Sequence, residues 1–188
     1  MSPFDYLSVL ISIVLGLGVT QVLAGFAGLV RTRKRIRMYW PVPVQMAVVF
    51  LISVQIWWAL FGLRGMRVWT FESFLVVLMQ PVSVYLMAAL ITPDLDEPGA
   101  INLRETYFRE CRWFFGSILF ALAISFAKNF VTNGGPPEGL DLLGHIVFGV
   151  IALTGLISRS NVIHKIIAAA SLLAYSGYIA LLFVRLPH

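Results

Sequence analysis

The chain consists of six long apolar runs separated by short polar stretches. The runs are continuous over roughly twenty residues, whereas a strand of an outer-membrane barrel alternates apolar and polar positions over about ten. A continuous run of this length is typical of a helix that crosses a bilayer, because a helix satisfies its own backbone hydrogen bonds. The pattern predicts an all-α polytopic membrane bundle, one domain with six transmembrane helices at residues 4–30, 40–63, 71–91, 113–131, 140–158 and 162–184.

Cations follow the first apolar run directly. This cluster is expected to anchor the run on the cytoplasmic side, and it comprises Arg31, Arg33, Lys34, Arg35 and Arg37. With six spans, this orientation places ten of the 14 lysines and arginines inside, and the four outside are Arg64, Arg67, Lys128 and Arg185. Both termini are then expected on the outer side. Short loops with this bias favour the bacterial cytoplasmic (inner) membrane, with the chain passing through it several times.

The first helix carries a face of small residues. It would be about 40 Å long at 1.5 Å per residue, which exceeds the roughly 30 Å hydrocarbon layer, so it must tilt or extend among the headgroups. Small side chains let helix backbones approach closely in a membrane. Another helix, of this chain or of a partner, is expected to pack on Gly16, Gly18, Gly25 and Gly28, together with Ala24.

A polar segment separates the third and fourth runs. Residues 92–99 contain three acids, two prolines and a glycine, which is typical of a linker. Asn102 and Glu105 then have the spacing of a helix-capping pair. A short cytoplasmic amphipathic helix is expected to follow and to run into the fourth span, with Leu103, Tyr107, Phe108 and Cys111 on its apolar face.

Composition agrees with a membrane protein and excludes several functions. Hydrophobic residues make up 59% of the 188 positions and charged residues only 12%, about half of the share in soluble globular proteins. Although the net charge is +5, the cations cluster at the ends of apolar runs. Lipid headgroups therefore explain them better than nucleic acid does. Cys111 is the single cysteine, which excludes an intramolecular disulfide and a cysteine cluster for zinc.

Ionisable residues at the predicted outer ends of the spans are the first candidate site. Asp141 and His145 are four positions apart and share a helix face. They could line an outward-facing vestibule for an ion or polar solute with Glu72 and Lys128. The alternative is structural: acids in first helical turns and a lysine in a last turn are each favoured by the helix dipole. His145 can equally be a hydrogen-bonded core histidine, and His164, beside Lys165, is expected to belong to the cytoplasmic anchor.

Amides lie near the predicted bilayer midplane, at Gln21, Gln55 and Gln80. Such groups commonly form hydrogen bonds between membrane helices, which is the simpler interpretation. The runs contain no carboxylate at midspan, and this disfavours a proton-coupled pump while leaving a pathway for a neutral solute open.

No catalytic motif is present in the sequence. It lacks a nucleophile elbow, a zinc-protease motif, a phosphate loop and a dinucleotide fingerprint, and no metal or cofactor is required, although a bound lipid is compatible. The expected function is a non-catalytic accessory, binding or assembly subunit of a larger membrane complex. Its expected partners are the bilayer and other membrane chains, or further copies of itself. The alternative is a small channel or transporter whose outer mouth is the predicted vestibule.

Overall fold

The computed structural model describes residues 3–66, 68–95 and 99–182. Within these ranges the chain forms six long helices, each long and apolar enough to cross a membrane, which confirms the predicted multi-pass helical bundle. Two short strands and one 3₁₀ segment, Phe61–Gly65, complete the secondary structure there. The helices are α1 (Pro3–Arg31), α2 (Pro41–Leu60), α3 (Phe71–Ile91), α4 (Leu103–Asn133), α5 (Gly139–Ile157) and α6 (Asn161–Leu182).

Local sequence signals fix several helix ends. The Thr70 hydroxyl accepts from the Ser73 amide at 3.2 Å, and the Ser73 hydroxyl accepts from the Thr70 amide at 3.0 Å, so the two residues cap the start of α3 reciprocally. Asn102 caps α4 by accepting from the Arg104 amide at 3.2 Å. Helix α4 ends at Asn133 and is capped by Gly134, whose φ of 75° lies in the left-handed region that favours glycine.

The amphipathic segment predicted at residues 103–112 is not a separate helix. It forms the first turns of α4, which continues without a break because this stretch contains neither proline nor glycine. Its apolar face also contacts protein: Leu103, Tyr107 and Cys111 are all buried in the main core cluster. The segment therefore positions the loops around it, in addition to any contact with headgroups.

Five of the helices, α2 to α6, form a closed ring. Helix α3 packs against α1 and α4, α5 follows α4, α6 follows α5, and α2 contacts both α6 and α1. Helix α2 also contacts α3, and this contact closes the ring. Helices α2 to α6 therefore surround an interior space, while α1 lies against the outside of α2 and α3.

The small-residue face of α1 packs within the chain. A Cβ atom added to Gly25 would lie 2.6 Å from Thr92, and one added to Gly28 would lie 2.8 Å from Leu95. Gly18 approaches the backbone of Tyr85 in α3, where an added Cβ would lie at 3.4 Å. Gly16 has no neighbour within 4 Å of such an atom and Ala24 is exposed, so the predicted face is only partly used.

The cationic loops meet at one end of the bundle. Strand β1 (Ile36–Arg37) pairs in parallel with β2 (Ile101–Asn102), which joins the α1–α2 loop to the start of α4. The Arg159 guanidinium donates to the Phe108 carbonyl at 2.7 Å, which brings in the α5–α6 loop. We call this the arginine end; residues 61–66, 68–70 and 134–138 form the opposite end. Arg67 and Arg185, predicted outer cations, lie outside the described residues.

Candidate functional site

Asp141 is the centre of a polar cluster at the opposite end. The Tyr178 hydroxyl donates to Oδ1 of Asp141 at 2.8 Å, and the Asn129 amide donates to Oδ2 at 3.3 Å. Asn129 in turn accepts from the Asn133 amide at 2.9 Å. Because these donors come from α4 and α6 while Asp141 begins α5, the carboxylate joins three helices.

His145 lies one turn deeper than Asp141 on the same face of α5. Its Nδ1 is 2.8 Å from the carbonyl oxygen of Asp141 and 3.7 Å from Oδ1 of that residue. A carbonyl oxygen can only accept, so Nδ1 carries the hydrogen, and in the neutral ring Nε2 accepts from the Ser125 hydroxyl at 3.1 Å. Side-chain exposure falls from 34% at Asp141 to 12% at His145, which defines a direction from surface to interior.

Lys128 lies near the cluster but forms no hydrogen bond or ion pair with Asp141 or His145 in the described ranges, and Glu72 lies apart from it. Lys128 is one residue before Asn129 in α4 and interacts electrostatically with Asp141. Glu72 is exposed in the first turn of α3, and in the described ranges no hydrogen bond or ion pair connects it to Asp141 or His145. Of the four residues predicted for the vestibule, the described contacts therefore join Asp141 and His145.

A glycine makes room for the tyrosine of the cluster. A Cβ added to Gly144 would lie 2.8 Å from the ring of Tyr178. The missing side chain lets one edge of the ring approach α5, and the Tyr178 hydroxyl bonds to Asp141. Gly144 therefore has a positioning role that its place in an apolar run does not reveal.

A partly open cavity of about 120 Å³ begins beside this cluster. By the same measure one water needs about 10–15 Å³, and an engineered cavity of about 150 Å³ holds benzene. The space therefore accommodates several waters or one compact solute. Apolar side chains of α2 to α5 form much of its wall, and the polar lining consists of Gln45, Gln55, Gln80, Ser83, Ser125, His145, Ser171, Tyr175 and Tyr178.

The predicted midplane glutamines separate into two groups. Gln55 and Gln80 line the cavity, and Gln55 accepts from the Tyr175 hydroxyl at 3.1 Å. Gln21 is on α1 and does not line the cavity.

Gln45, a further lining residue, is only 1% exposed, and its amide nitrogen has no hydrogen-bond partner in the described part of the chain. A buried amide without a partner is costly, and this nitrogen has almost no accessible surface, so it does not face the open part of the cavity.

His164 is buried in the core, so its predicted role in the cytoplasmic anchor is wrong. It is 0% exposed, with Nε2 3.0 Å from the Ser158 carbonyl and Nδ1 2.8 Å from the Tyr107 hydroxyl. The carbonyl must accept from Nε2, which leaves Nδ1 of the neutral ring to accept from Tyr107. Both ring nitrogens are satisfied within the protein, and the ring packs against Phe108 and Phe115.

The predicted anchor cations themselves are exposed at the arginine end, as a headgroup-facing cluster requires. One guanidinium nitrogen of Arg33 donates to the Val30 carbonyl at 2.9 Å, which orients that side chain over the end of α1. The other exposed cations of this loop are Arg31, Lys34, Arg35 and Arg37.

Sequence reasoning did not single out Asn129 and Tyr178. Asn129 has one available signal, since a polar amide beside Lys128 in the last turns of an apolar helix is uncommon. Tyr178 has none, because an aromatic near a helix end is expected at any membrane interface. Its role depends on the packing of α6 against α5.

The described residues contain no group of three or more histidine, cysteine, aspartate or glutamate side chains placed to hold a metal ion. Comparison with protein-family models, with curated proteins and with solved structures gives no match. The functional argument therefore rests on the site itself.

Proposed function

We propose that the protein is a small channel or transporter. It binds a compact, neutral, hydrogen-bonding solute in the cavity lined by helices α2 to α6, and it exchanges this solute through the polar cluster around Asp141. The observation that carries this proposal is that two residues, His145 and Tyr178, both line the cavity and interact with Asp141. Polar groups thus continue from a partly exposed carboxylate to the middle of the bundle. Such continuity is typical of a pathway rather than of isolated helix-packing bonds.

The lining favours a neutral solute. Its polar groups are amides, hydroxyls and one histidine, without a carboxylate or a primary amine. Amides and hydroxyls can replace the hydration of a neutral molecule, whereas a charged one would require a compensating charge in this apolar setting. A molecule the size of urea or glycerol fits these requirements.

The accessory-subunit hypothesis remains a second prediction, but the structure weakens one of its premises, the availability of the glycine face of α1. The glycine face of α1 was its expected docking surface, and Gly18, Gly25 and Gly28 are already covered by the chain itself. The exposed aliphatic residues of the other helices suit lipid as well as they suit a protein partner. We place the protein in a bacterial cytoplasmic membrane, with the Asp141 cluster on the outer side, on the strength of the predicted positive-inside orientation.

Solute flux through the purified protein tests the proposal. Liposomes containing the protein should shrink and re-swell faster than empty liposomes in a gradient of urea or glycerol, as followed by stopped-flow light scattering. His145→Ala and Asp141→Asn should each change this rate about tenfold, since each removes a hydrogen bond involving a charged or ring group worth roughly 1.4 kcal/mol or more.

Glu72→Gln is the matched control, because it removes a carboxylate at a helix N-terminus that lies outside the cluster. Its flux should equal that of the wild type. Flux unaltered in both cluster variants would remove Asp141 and His145 from the pathway, and flux no faster than in empty liposomes would reject the transport function.

A further inference from the structure

A second concave site lies at the arginine end, apart from the central cavity. It is a cleft of about 570 Å³ between strand β1, the first turns of α4 and the α5–α6 loop. Three arginines from these three parts of the chain line it, Arg37, Arg104 and Arg159. Residues far apart in sequence thus converge on one volume, which a simple row of cytoplasmic cations would not do.

Hydrogen bonds hold the walls of the cleft in place. The parallel pairing aligns Arg37 with Asn102, and the Asn102 side chain caps the Arg104 amide at 3.2 Å. On the facing wall, Arg159 donates through Nη1 to the Phe108 carbonyl at 2.7 Å. A guanidinium has five N–H donors, so this bond orients the Arg159 fork and leaves other donors for an anion.

The cleft is positively charged. Its lining contains the three arginines and one acid, Glu105, which gives a net charge of +2. The acid is itself engaged, since the Asn102 amide donates to the Glu105 carboxylate at 2.6 Å. An anion entering the cleft therefore meets an excess of positive charge, and the N-terminus of α4 adds to it.

One buried hydroxyl in the wall has no partner. Tyr39 lines the cleft and is only 6% exposed, and its hydroxyl makes no hydrogen bond within the described ranges. Burial raises the pKa of Tyr39 above its usual value, and the opposing effect of Arg104 does not cancel the rise. The group is therefore a neutral O–H donor at physiological pH. Buried donors without a partner are rare in folded proteins. This hydroxyl has almost no accessible surface, so a bound acceptor would satisfy it after a small movement of the ring toward the cleft.

We propose that this cleft binds the phosphate group of an anionic membrane lipid, with Arg37, Arg104 and Arg159 holding the phosphate oxygens and Tyr39 donating a further hydrogen bond. Apolar side chains beside the cleft indicate a lipid rather than a soluble phosphate. Met38 lines it and is 55% exposed, and the neighbouring Trp40 is 42% exposed. Acyl chains can cover these side chains while the headgroup occupies the cleft, as in basic pockets between the ends of membrane helices.

Equilibrium binding of a fluorescent phosphatidylglycerol to the detergent-solubilised protein, measured by anisotropy, tests the proposal. Phosphatidylcholine with the same label is the neutral comparison and should bind at least about tenfold more weakly. Arg104→Gln should weaken phosphatidylglycerol binding about tenfold, because it removes a charge-assisted bond. Arg159→Gln should do the same, and Tyr39→Phe should weaken binding several-fold.

Lys34→Gln is the matched control, since it removes one exposed charge from the same loop as Arg37 without lining the cleft. Its affinity should stay within about twofold of the wild type, because exposed charges outside a site contribute little. Equal binding of both lipids, or an equal loss in Lys34→Gln and Arg104→Gln, would overturn the proposal in favour of diffuse surface charge. Displacement of the lipid by millimolar inorganic phosphate would overturn the lipid assignment and identify a soluble phosphate as the ligand.

Because Arg159→Gln also removes the bond to Phe108, it can alter the fold. Arg104→Gln and Tyr39→Phe keep the test decisive: the Arg104 side chain is exposed, and Phe retains the ring of Tyr39. Both variants should unfold at the same temperature as the wild type while binding phosphatidylglycerol more weakly. Retained affinity in both folded variants would reject the site.

Discussion

At the scale of single residues, the two histidines in the described helices show how similar chemistry leads to different roles. His145 and His164 each donate to a backbone carbonyl and each place the second ring nitrogen beside a hydroxyl group, of Ser125 and Tyr107 respectively. His145 borders the cavity and His164 is enclosed by aromatic rings. The sequence suggested that His145 could be a hydrogen-bonded core histidine, but it did not suggest this role for His164. Adjacency to Lys165 in the sequence says nothing about which side of α6 faces the core.

Removing the hydroxyl that serves His164 should destabilise the protein. Tyr107→Phe leaves the ring nitrogen Nδ1 buried without a partner, which costs about 1–3 kcal/mol of the free energy of unfolding. Unfolding in mixed micelles titrated with a denaturing detergent measures the change. Tyr6→Phe is the control. Because Tyr6 is 71% exposed, this variant should unfold like the wild type. Equal stability of Tyr107→Phe and Tyr6→Phe would contradict a stabilising role for the pair.

At the scale of elements, the positions of the helices follow closely from the apolar pattern. The predicted third span, 71–91, matches α3, and the predicted fifth span differs from α5 by one residue at each end. The fourth predicted span differs most from its helix. The sequence pattern changes from amphipathic to apolar near residue 113, but the helical hydrogen bonding of α4 continues through this point without a break. Hydropathy reports where lipid begins, whereas helix continuity depends on the absence of breakers. In α4 the apolar stretch that would cross the membrane is therefore shorter than the helix that contains it.

Two glycines in α5 should respond oppositely to the same substitution. A Cβ at Gly155 would lie 2.6 Å from the ring of Phe115, which is fully buried, whereas a Cβ at Gly149 would have no neighbour within 4 Å. Gly155→Ala should lower the free energy of unfolding by about 1–3 kcal/mol through overpacking against α4. Gly149→Ala should raise it by up to about 1 kcal/mol through helix propensity. The same detergent titration compares them, and a loss of stability in both would refute specific packing at Gly155.

At the scale of the whole molecule, the sequence predicts the bundle but not its interior. Six apolar runs determine six helices, and the alternation of charged loops predicts which ends lie together. The order of helices around the ring decides which polar groups meet, and no periodic pattern encodes that order. Asp141 and His145 are in contact with each other, and Lys128 acts on Asp141 only electrostatically. Glu72, with an equivalent place at a helix N-terminus, is connected to none of them in the described ranges. The missed partners Asn129 and Tyr178 depend on the same tertiary arrangement.

Membrane orientation is a testable property of the whole chain. Ten of the 14 lysines and arginines lie in the loops predicted to be cytoplasmic, so a reporter fused after residue 188 should be on the outer side. Alkaline phosphatase, which is active only outside the cytoplasm, should be active in that fusion, and a fusion in the 31–37 loop should be inactive. The reverse pattern would invert the molecule and place the Asp141 cluster at the cytoplasmic face.

The pairing of β1 with β2 has a consequence for assembly. Ile36 is translated before α2 and α3, and its partner Ile101 only after both. The first loop must therefore wait at the membrane surface until three helices are inserted and the fourth begins. The arginine cleft cannot exist before that moment, because two of its walls are made by the strands and by α4. The remaining wall is Arg159 in the α5–α6 loop, so an anionic headgroup that fills the cleft would stabilise only chains whose first five helices are correctly joined, and would favour them during biogenesis.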